Sequence, residues 1–377
     1  MLKSFELTNF KSFKDTTFFD LNKTNYKMLS DTHICNNILK GLMFVGANAS
    51  GKSNSILAIK FLLESLLGKN DINFTSYHCL FSQNPVTKLK YTFLIDNTDI
   101  QYEITYQTID EYIQEKLLVD DVLLFERNGS FSKVNINEET THSNVPKSTL
   151  FLREVYFNTK FRGNLVLQKW YEFLKNSIYI DLYSRNISTY KDIDLNLKTY
   201  LNENGTNEIN QFFNEYNFEQ NIEYSNISKG NTISIESVEK MIFFKRKGIN
   251  EPIPFPLESL GNQTLLQILP AFFYCIKNNS MLLLDEFSSG FHNDLEELLI
   301  RYFMQKSNHS QVLFVSHSTN LLSNRLLRPD QIYSIDFNKN GSLIKRFSSE
   351  KPREAQNIEK MYLSGVFNGV PKYEYNP

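Results

Sequence analysis

The segment Gly46-Ala47-Asn48-Ala49-Ser50-Gly51-Lys52-Ser53 constrains this chain most, because it satisfies G-x-x-x-x-G-K-[ST] between two segments of different periodicity. Before it, Gly41-Leu42-Met43-Phe44-Val45 is a continuous apolar run, the pattern of a strand buried on both faces. After it, Ile56, Leu57, Ile59, Leu62, Leu63, Leu66 and Leu67 recur at helical spacing, and Gly68 closes the run. Strand, glycine-bounded loop and helix in that order make a phosphate-binding loop. The glycines let the backbone fold tightly enough for its N–H groups to surround phosphate oxygens. The helix N-terminus adds the positive end of its dipole. In this pattern Lys52 reaches the β- and γ-phosphates and Ser53 offers a hydroxyl to Mg²⁺.

Three later segments carry matching chemistry. Met281-Leu282-Leu283-Leu284-Asp285-Glu286 is an apolar strand that ends in two carboxylates. At the tip of a buried parallel strand beside such a loop, Asp285 is placed to hold a metal and Glu286 to polarise an attacking water. Val312-Leu313-Phe314-Val315-Ser316-His317 is another strand with a polar tip, where a histidine could contact a γ-phosphate. Glu258-Ser259-Leu260-Gly261-Asn262-Gln263 opens a helix, and Ser and Gly at a helix N-terminus suit an anion. Each alone has a plain structural reading: a solvated strand end, a hydrogen-bonding histidine, an N-cap serine. The loop at 46–53 is what gives them a common purpose.

The rest of the chain organises around these pieces. Leu2–Phe10 and Thr17–Leu21 read as paired strands, and about 77–135 is β-rich, with runs at Leu89–Ile95, Ile100–Tyr106, Leu117–Arg127 and Ser130–Asn135. Leu165–Lys175, Lys191–Asn202 and Glu208–Tyr216 read as helices without heptads, so a long coiled coil is excluded. Ile222–Ile235 and Lys240–Arg246 return to strand patterns. Past Pro252, Pro254 and Pro256, helices at Ser259–Ile276 and Asp294–Gln305 alternate with strands at Met281–Leu284, Gln311–Val315 and Gln331–Ile335. That alternation predicts an α/β sheet. Lys+Arg 40 against Asp+Glu 42 gives a net charge of −2, which argues against coating nucleic acid or membrane through bulk charge. Cys35, Cys79 and Cys275 form neither a disulfide framework nor a CxxC pair, so a reducing cytoplasm is expected. No apolar run is long enough to span a membrane, and residues 1–20 lack the apolar core of a signal peptide.

These pieces together resemble the ABC-type ATPase head of the SMC-like and RecF-like group. Within it they are similar to the compact AAA15/AAA21-type ATP-binding proteins of bacterial defence systems, including abortive-infection and OLD-type ATPases. The resemblance covers about 1–68 and 255–370. Leu7-Thr8-Asn9-Phe10-Lys11-Ser12-Phe13 looks like the group's N-terminal strand. Gly46–Ser53 matches Walker A, Leu282–Glu286 Walker B, Ser316-His317 the switch histidine, and Ser259 with Gly261 the signature motif. Asn357–Gly365 and Phe367-Asn368-Gly369-Val370-Pro371 resemble the tail of compact members.

The resemblance implies an ABC-ATPase head: a mixed sheet with an antiparallel β lobe and a helical insertion. It places an N-terminal lobe at 1–160, an insertion at 161–250 and a C-terminal lobe at 251–377. ATP and Mg²⁺ are the implied cofactors. Gly46, Ala47, Asn48, Ala49, Ser50, Gly51, Lys52, Ser53 and Asn54 would hold the nucleotide, with Lys11, Ser12 and Phe13 beside it. Ser259, Gly261 and Asn262 of a second copy would complete the site. Ser53 and Asp285 would hold the metal, and Glu286, His317 and Lys52 would act in hydrolysis. The signature departs from the usual pattern, since Leu260 intervenes and Asn262 follows Gly261, which implies slow turnover. His292 aligns with the D-loop aspartate of transporter-type members, and the Q-loop is expected within 151–168.

The expected assembly is a homodimer or higher oligomer closing around ATP, a regulator of a toxic effector or nuclease in anti-phage defence. A DNA-clamping maintenance ATPase is the second reading, with Lys339, Lys345, Arg346, Lys351 and Arg353 as its basic candidates. A scaffold that binds ATP with little turnover is the third.

Overall fold

The structure, a computed structural model, describes residues 1–69, 73–109 and 111–370. Two compact units divide the chain: one holds Met1–Lys191, Cys275–Ser289 and Asn293–Pro377, the other Asp192–Tyr274 and Gly290–His292. This differs from the expected division at 160 and 250. The Leu165–Lys175 helix belongs to the first unit because it buries Trp170 and Tyr171 completely, with Trp170 against Phe93 at 5.7 Å between ring centres. The second unit extends through the signature segment to Tyr274.

Among the described residues the first unit contains a seven-stranded sheet. Its order is Asn186–Thr189, Ile178–Asp181, Met281–Asp285, Gln311–Val315, Gly41–Gly46, Ile332–Asn338, Gly341–Arg346. The five central strands are parallel and the two outermost pair antiparallel. Every residue of Gly41–Gly46, Met281–Asp285 and Gln311–Val315 is buried, as their unbroken apolar runs require of strands covered on both faces. An eight-stranded antiparallel sheet, from Thr17–Asp20 through Leu2–Thr8 to Glu139–Ser143, forms the β lobe. Its Val86–Ile95 strand alternates buried and half-exposed residues, the period-2 pattern of a sheet with one core face.

The Lys52–Leu67 helix lies between these two sheets. Ile56, Ala58, Ile59, Phe61, Leu62, Leu63 and Leu66 are fully buried, so it is apolar on nearly every side. Tyr91 of the β lobe donates its hydroxyl to the Ala58 carbonyl of that helix at 2.6 Å. A buried polar cluster closes the lobe: Glu115 accepts from Arg127 at 3.0 Å, from Tyr102 at 2.6 Å and from the Phe151 N–H at 2.7 Å. Both charges are fully enclosed, so their mutual satisfaction is what permits burial. The second unit holds a three-stranded antiparallel sheet of Gln220–Lys229, Ser234–Arg246 and Ile249–Pro254, with helices Leu197–Asn204 and Asn207–Glu215 and most of Leu260–Asn278. Among the described residues no helix is long and apolar enough to cross a membrane. The three cysteines are free thiols.

His33 gives the first unit an acid-sensitive point. Its Nε2 lies 2.7 Å from the Leu326 carbonyl and its Nδ1 2.8 Å from the Thr32 hydroxyl, an arrangement that a neutral ring satisfies at both nitrogens. Burial pushes its pKa down to about 4, aided by the nearby Lys40 and Arg328 charges and opposed by the Leu326 carbonyl. The unfolded chain therefore binds the proton first. The contribution is full above pH 6.5 and is lost as pH falls toward 4, by roughly 3 kcal/mol. Urea titrations at pH 7 and pH 4 should show this loss in the wild type and a smaller one in His33→Gln. An unchanged pH dependence in the variant would remove His33 as its source.

Candidate functional site

Three neighbouring parallel strands end at one place. Gly41–Gly46 is followed by the glycine loop, Met281–Asp285 by Glu286, and Gln311–Val315 by Ser316 and His317. Their registers are nearly flush, with Leu284 opposite Phe314 and Val315 opposite Phe44, so the polar tips share one edge of the sheet. In an open parallel sheet that carboxyl edge is where a ligand crevice forms. A cleft of about 820 Å³ opens there, lined by Asn48, Lys52, Ser53, Glu286 and His317 among others.

The loop is shaped by close approaches. A Cβ on Gly46 would lie 2.2 Å from the Ile335 carbonyl oxygen, so only glycine fits there. Gly51 holds φ 103°, a left-handed conformation that a side chain would strain. Lys52 is buried, and its Nζ donates to the Gly46 carbonyl at 3.1 Å and the Ala47 carbonyl at 2.7 Å. Burial holds the Lys52 ammonium down at about 8, opposed by the Glu286 and Asp285 carboxylates.

Ser53 Oγ donates to Asp285 Oδ1 at 2.9 Å, and Tyr179 donates its hydroxyl to Asp285 Oδ2 at 3.3 Å. Burial raises the Asp285 pKa; the Ser53 hydrogen bond opposes this and the Glu286 charge adds to it. The Ser53 and Asp285 oxygens fit Mg²⁺. This ion takes oxygen ligands at about 2.0–2.1 Å in an octahedron, so adjacent ligands sit about 2.9 Å apart. Among the described residues no group of three or more His, Cys, Asp or Glu is placed to hold a metal.

Glu286 sits at φ 51°, uncommon for a residue with a long side chain. The turn is fixed by its own N–H on Asp285 Oδ1 at 3.1 Å and by the Ser289 N–H on its carbonyl at 2.8 Å. Its carboxylate lies 3.5 Å from His317 Nε2. Burial holds the His317 pKa below its ordinary value; the Lys52 charge adds to this and Glu286 opposes it. The lowered pKa favours the neutral ring, which Glu286 faces.

Some expected residues stand elsewhere. Phe13 is fully buried, edge-on to Phe19 at 5.9 Å, so its ring belongs to the core and not to a ligand surface. Lys11 donates to the Ser76 carbonyl at 2.8 Å and lies over the Tyr77 ring at 4.9 Å, away from the cleft lining. The Ser12 hydroxyl is taken by Asn54 Nδ2 at 2.7 Å. Ser259, Gly261 and Asn262 belong to the second unit. There Ser259 Oγ accepts the Asn262 N–H at 3.3 Å at the start of Leu260–Asn278, while the Asn262 amide pairs with Gln220 at 3.3 Å. His292 falls in the same unit.

The Q-loop is expected within 151–168, a range that holds the Phe151–Thr159 helix, the start of Leu165–Lys175 and the turn between them. The strand beside Met281–Asp285 is Ile178–Asp181, and the loop after it brings Tyr183 to the cleft. The short apolar run Ile178-Tyr179-Ile180 before Asp181 was the available signal. The basic C-terminal run is partly neutralised: Lys345 pairs with Glu350 at 2.7 Å and Arg346 with Asp20 at 3.1 Å. In the tail, Phe367 stacks on Phe347 at 3.8 Å, and Pro371 lies outside the described residues.

Solved structures share this fold. The SMC head domain from Thermotoga maritima is 15% identical with a TM-score of 0.50, over 91% of this chain and 97% of that one. The Smc head domain with an extended coiled coil bound to the C-terminal domain of ScpA, from Pyrococcus furiosus, is 12% identical with a TM-score of 0.51, over 93% and 97%. Among curated protein sequences none matches. The profile of the family described as "AAA domain, putative AbiEii toxin, Type IV TA system" matches residues 42–323, which carry the glycine loop, the carboxylate pair and His317. By that match the chain belongs to this AAA family, and by its architecture it has the fold of an SMC-type ABC-ATPase head.

Proposed function

We propose that the protein binds and hydrolyses ATP as a nucleotide-dependent homodimer that regulates a toxic effector in anti-phage defence. The observation that carries the ATPase reading is the meeting of Lys52, Ser53, Glu286 and His317 in one cleft, with Asp285 hydrogen-bonded to Ser53 at its base. The family description, which names the AbiEii toxin and a type IV toxin–antitoxin system, supports the defence role. The ScpA domain bound to the Pyrococcus furiosus head is a precedent for a protein partner on this fold.

In this reading Lys52 exchanges its loop carbonyls for β- and γ-phosphate oxygens. Ser53 and Asp285 would hold Mg²⁺, which neutralises charge on those oxygens. Glu286 orients the attacking water and accepts its proton. His317 contacts the γ-phosphate. Ser259, Gly261 and Asn262 of a second copy supply the facing wall, so the γ-phosphate favours the closed dimer and its loss releases it.

Phosphate release by the wild-type protein tests the enzymatic part. Slow turnover that disappears when Mg²⁺ is chelated is expected. Turnover at background, equal with and without Mg²⁺, would overturn hydrolysis and leave an ATP-binding scaffold.

A further inference from the structure

The glycine loop is held from behind by two hydroxyl groups, Ser12 of the N-terminal motif and Ser342, which no motif of the site contains. Asn54 Nδ2 lies 2.7 Å from Ser12 Oγ, Ser12 Oγ lies 2.7 Å from Ser342 Oγ, and Ser342 Oγ lies 2.6 Å from the Ser50 carbonyl oxygen. A hydroxyl has one proton and a carbonyl has none. Ser342 therefore donates to Ser50, Ser12 donates to Ser342, and Asn54 donates to Ser12. Every hydroxyl proton in the chain is used once.

Ser342 comes from the outermost strand of the seven-stranded sheet, Gly341–Arg346, and reaches a loop 292 residues earlier in sequence. Ser12, Ser50 and Ser342 are 8%, 1% and 4% exposed, so bulk water cannot stand in for a missing hydroxyl. The position of Gly51 depends on the same two groups. A Cβ there would lie 2.3 Å from Ser342 Oγ and 2.4 Å from Ser12 Oγ. The strand is also tied by its backbone, since the Ser342 N–H donates to the Ser12 carbonyl at 2.7 Å.

Peptide geometry carries this restraint to the cleft. The Ser50 carbonyl and the Gly51 N–H share one planar trans peptide and point in opposite directions. Fixing the carbonyl on Ser342 therefore fixes the Gly51 N–H on the other side, and Gly51 lines the cleft. We propose that Ser342 is a positioning residue for nucleotide binding, which holds the Ser50–Gly51 peptide with its N–H presented to a phosphate. This role rests on the nucleotide reading above. It places a residue outside the recognised motifs in control of the loop.

Calorimetric titration of the full chain with Mg-ATP separates positioning from stability. A variant that is merely less stable lowers the fraction of competent protein, and so the stoichiometry, while leaving Kd unchanged. Ser342→Ala should keep the stoichiometry and weaken Kd about tenfold or more, since the buried Ser50 carbonyl loses its donor. Ser342→Cys, close in size with a weaker S–H donor, should fall between the two and covers the case in which the alanine protein does not fold. Kd within about twofold of wild type in whichever of these variants folds would overturn the proposal. Absence of ATP binding by the wild type would overturn the nucleotide reading and this proposal with it.

Discussion

Lys52→Ala should abolish ATP binding. The wild-type ammonium is the positive charge in a cleft that also holds Glu286 and has Asp285 at its base. Without it, a triphosphate meets two carboxylates with no cationic side chain in the cleft lining beside them. The phosphate oxygens also lose a charge-assisted donor of the kind worth roughly twice a neutral hydrogen bond. An affinity loss of about 10²-fold or more follows, which is about 2.7 kcal/mol. The fold should survive. Lys52 opens the Lys52–Leu67 helix, where alanine is well tolerated, and the change frees one buried and one part-buried carbonyl, those of Gly46 and Ala47, at a cost of about 1–3 kcal/mol. Titration calorimetry checks this, with circular dichroism as the control for folding. Affinity within about threefold of wild type would remove the glycine loop from the binding site.

Glu286→Gln should stop turnover while keeping ATP bound. Glutamine preserves the length and planarity of the side chain but accepts no proton from water. The expected loss is about 10²–10⁴-fold, the range that general-base catalysis supplies. Binding should hold or tighten, because the γ-phosphate no longer faces that carboxylate. The protein should then accumulate as the closed, ATP-bound dimer. Phosphate release measures the first effect and sedimentation with and without ATP the second. Turnover within about threefold of wild type would exclude Glu286 as the base. A sedimentation profile that ATP leaves unchanged would exclude the dimer around nucleotide.

The parts of the site that could be read from sequence are those whose chemistry is local. Gly46–Ser53 is contiguous, and its strand and helix flank it directly. Asp285-Glu286 and Ser316-His317 each end a fully buried strand, so an apolar run followed by polar residues marks them. What escaped depends on contacts distant in sequence. The Phe151–Thr159 helix starts after Leu150, which gives no side-chain cap; the carboxylate that receives its first N–H groups is Glu115, 36 residues earlier. The run Leu117–Arg127 breaks into two strands at Asp120 and Asp121, both left-handed, a hairpin turn made without glycine. Phe13 belongs to a recognisable N-terminal pattern, yet only packing against Phe19 shows that it serves the core. Ser342 has no local feature to mark it, because its role exists only where the sheet's edge strand passes under the glycine loop.

A crystal structure of the Glu286→Gln protein grown with Mg-ATP tests the central claim most directly. The γ-phosphate is expected between Lys52 and His317, the metal on Ser53 and Asp285, and Ser259 of a second copy closing the site. A triphosphate bound away from the Lys52 loop would contradict that claim. So would one bound there with His317 and the substituted side chain at position 286 both turned from it.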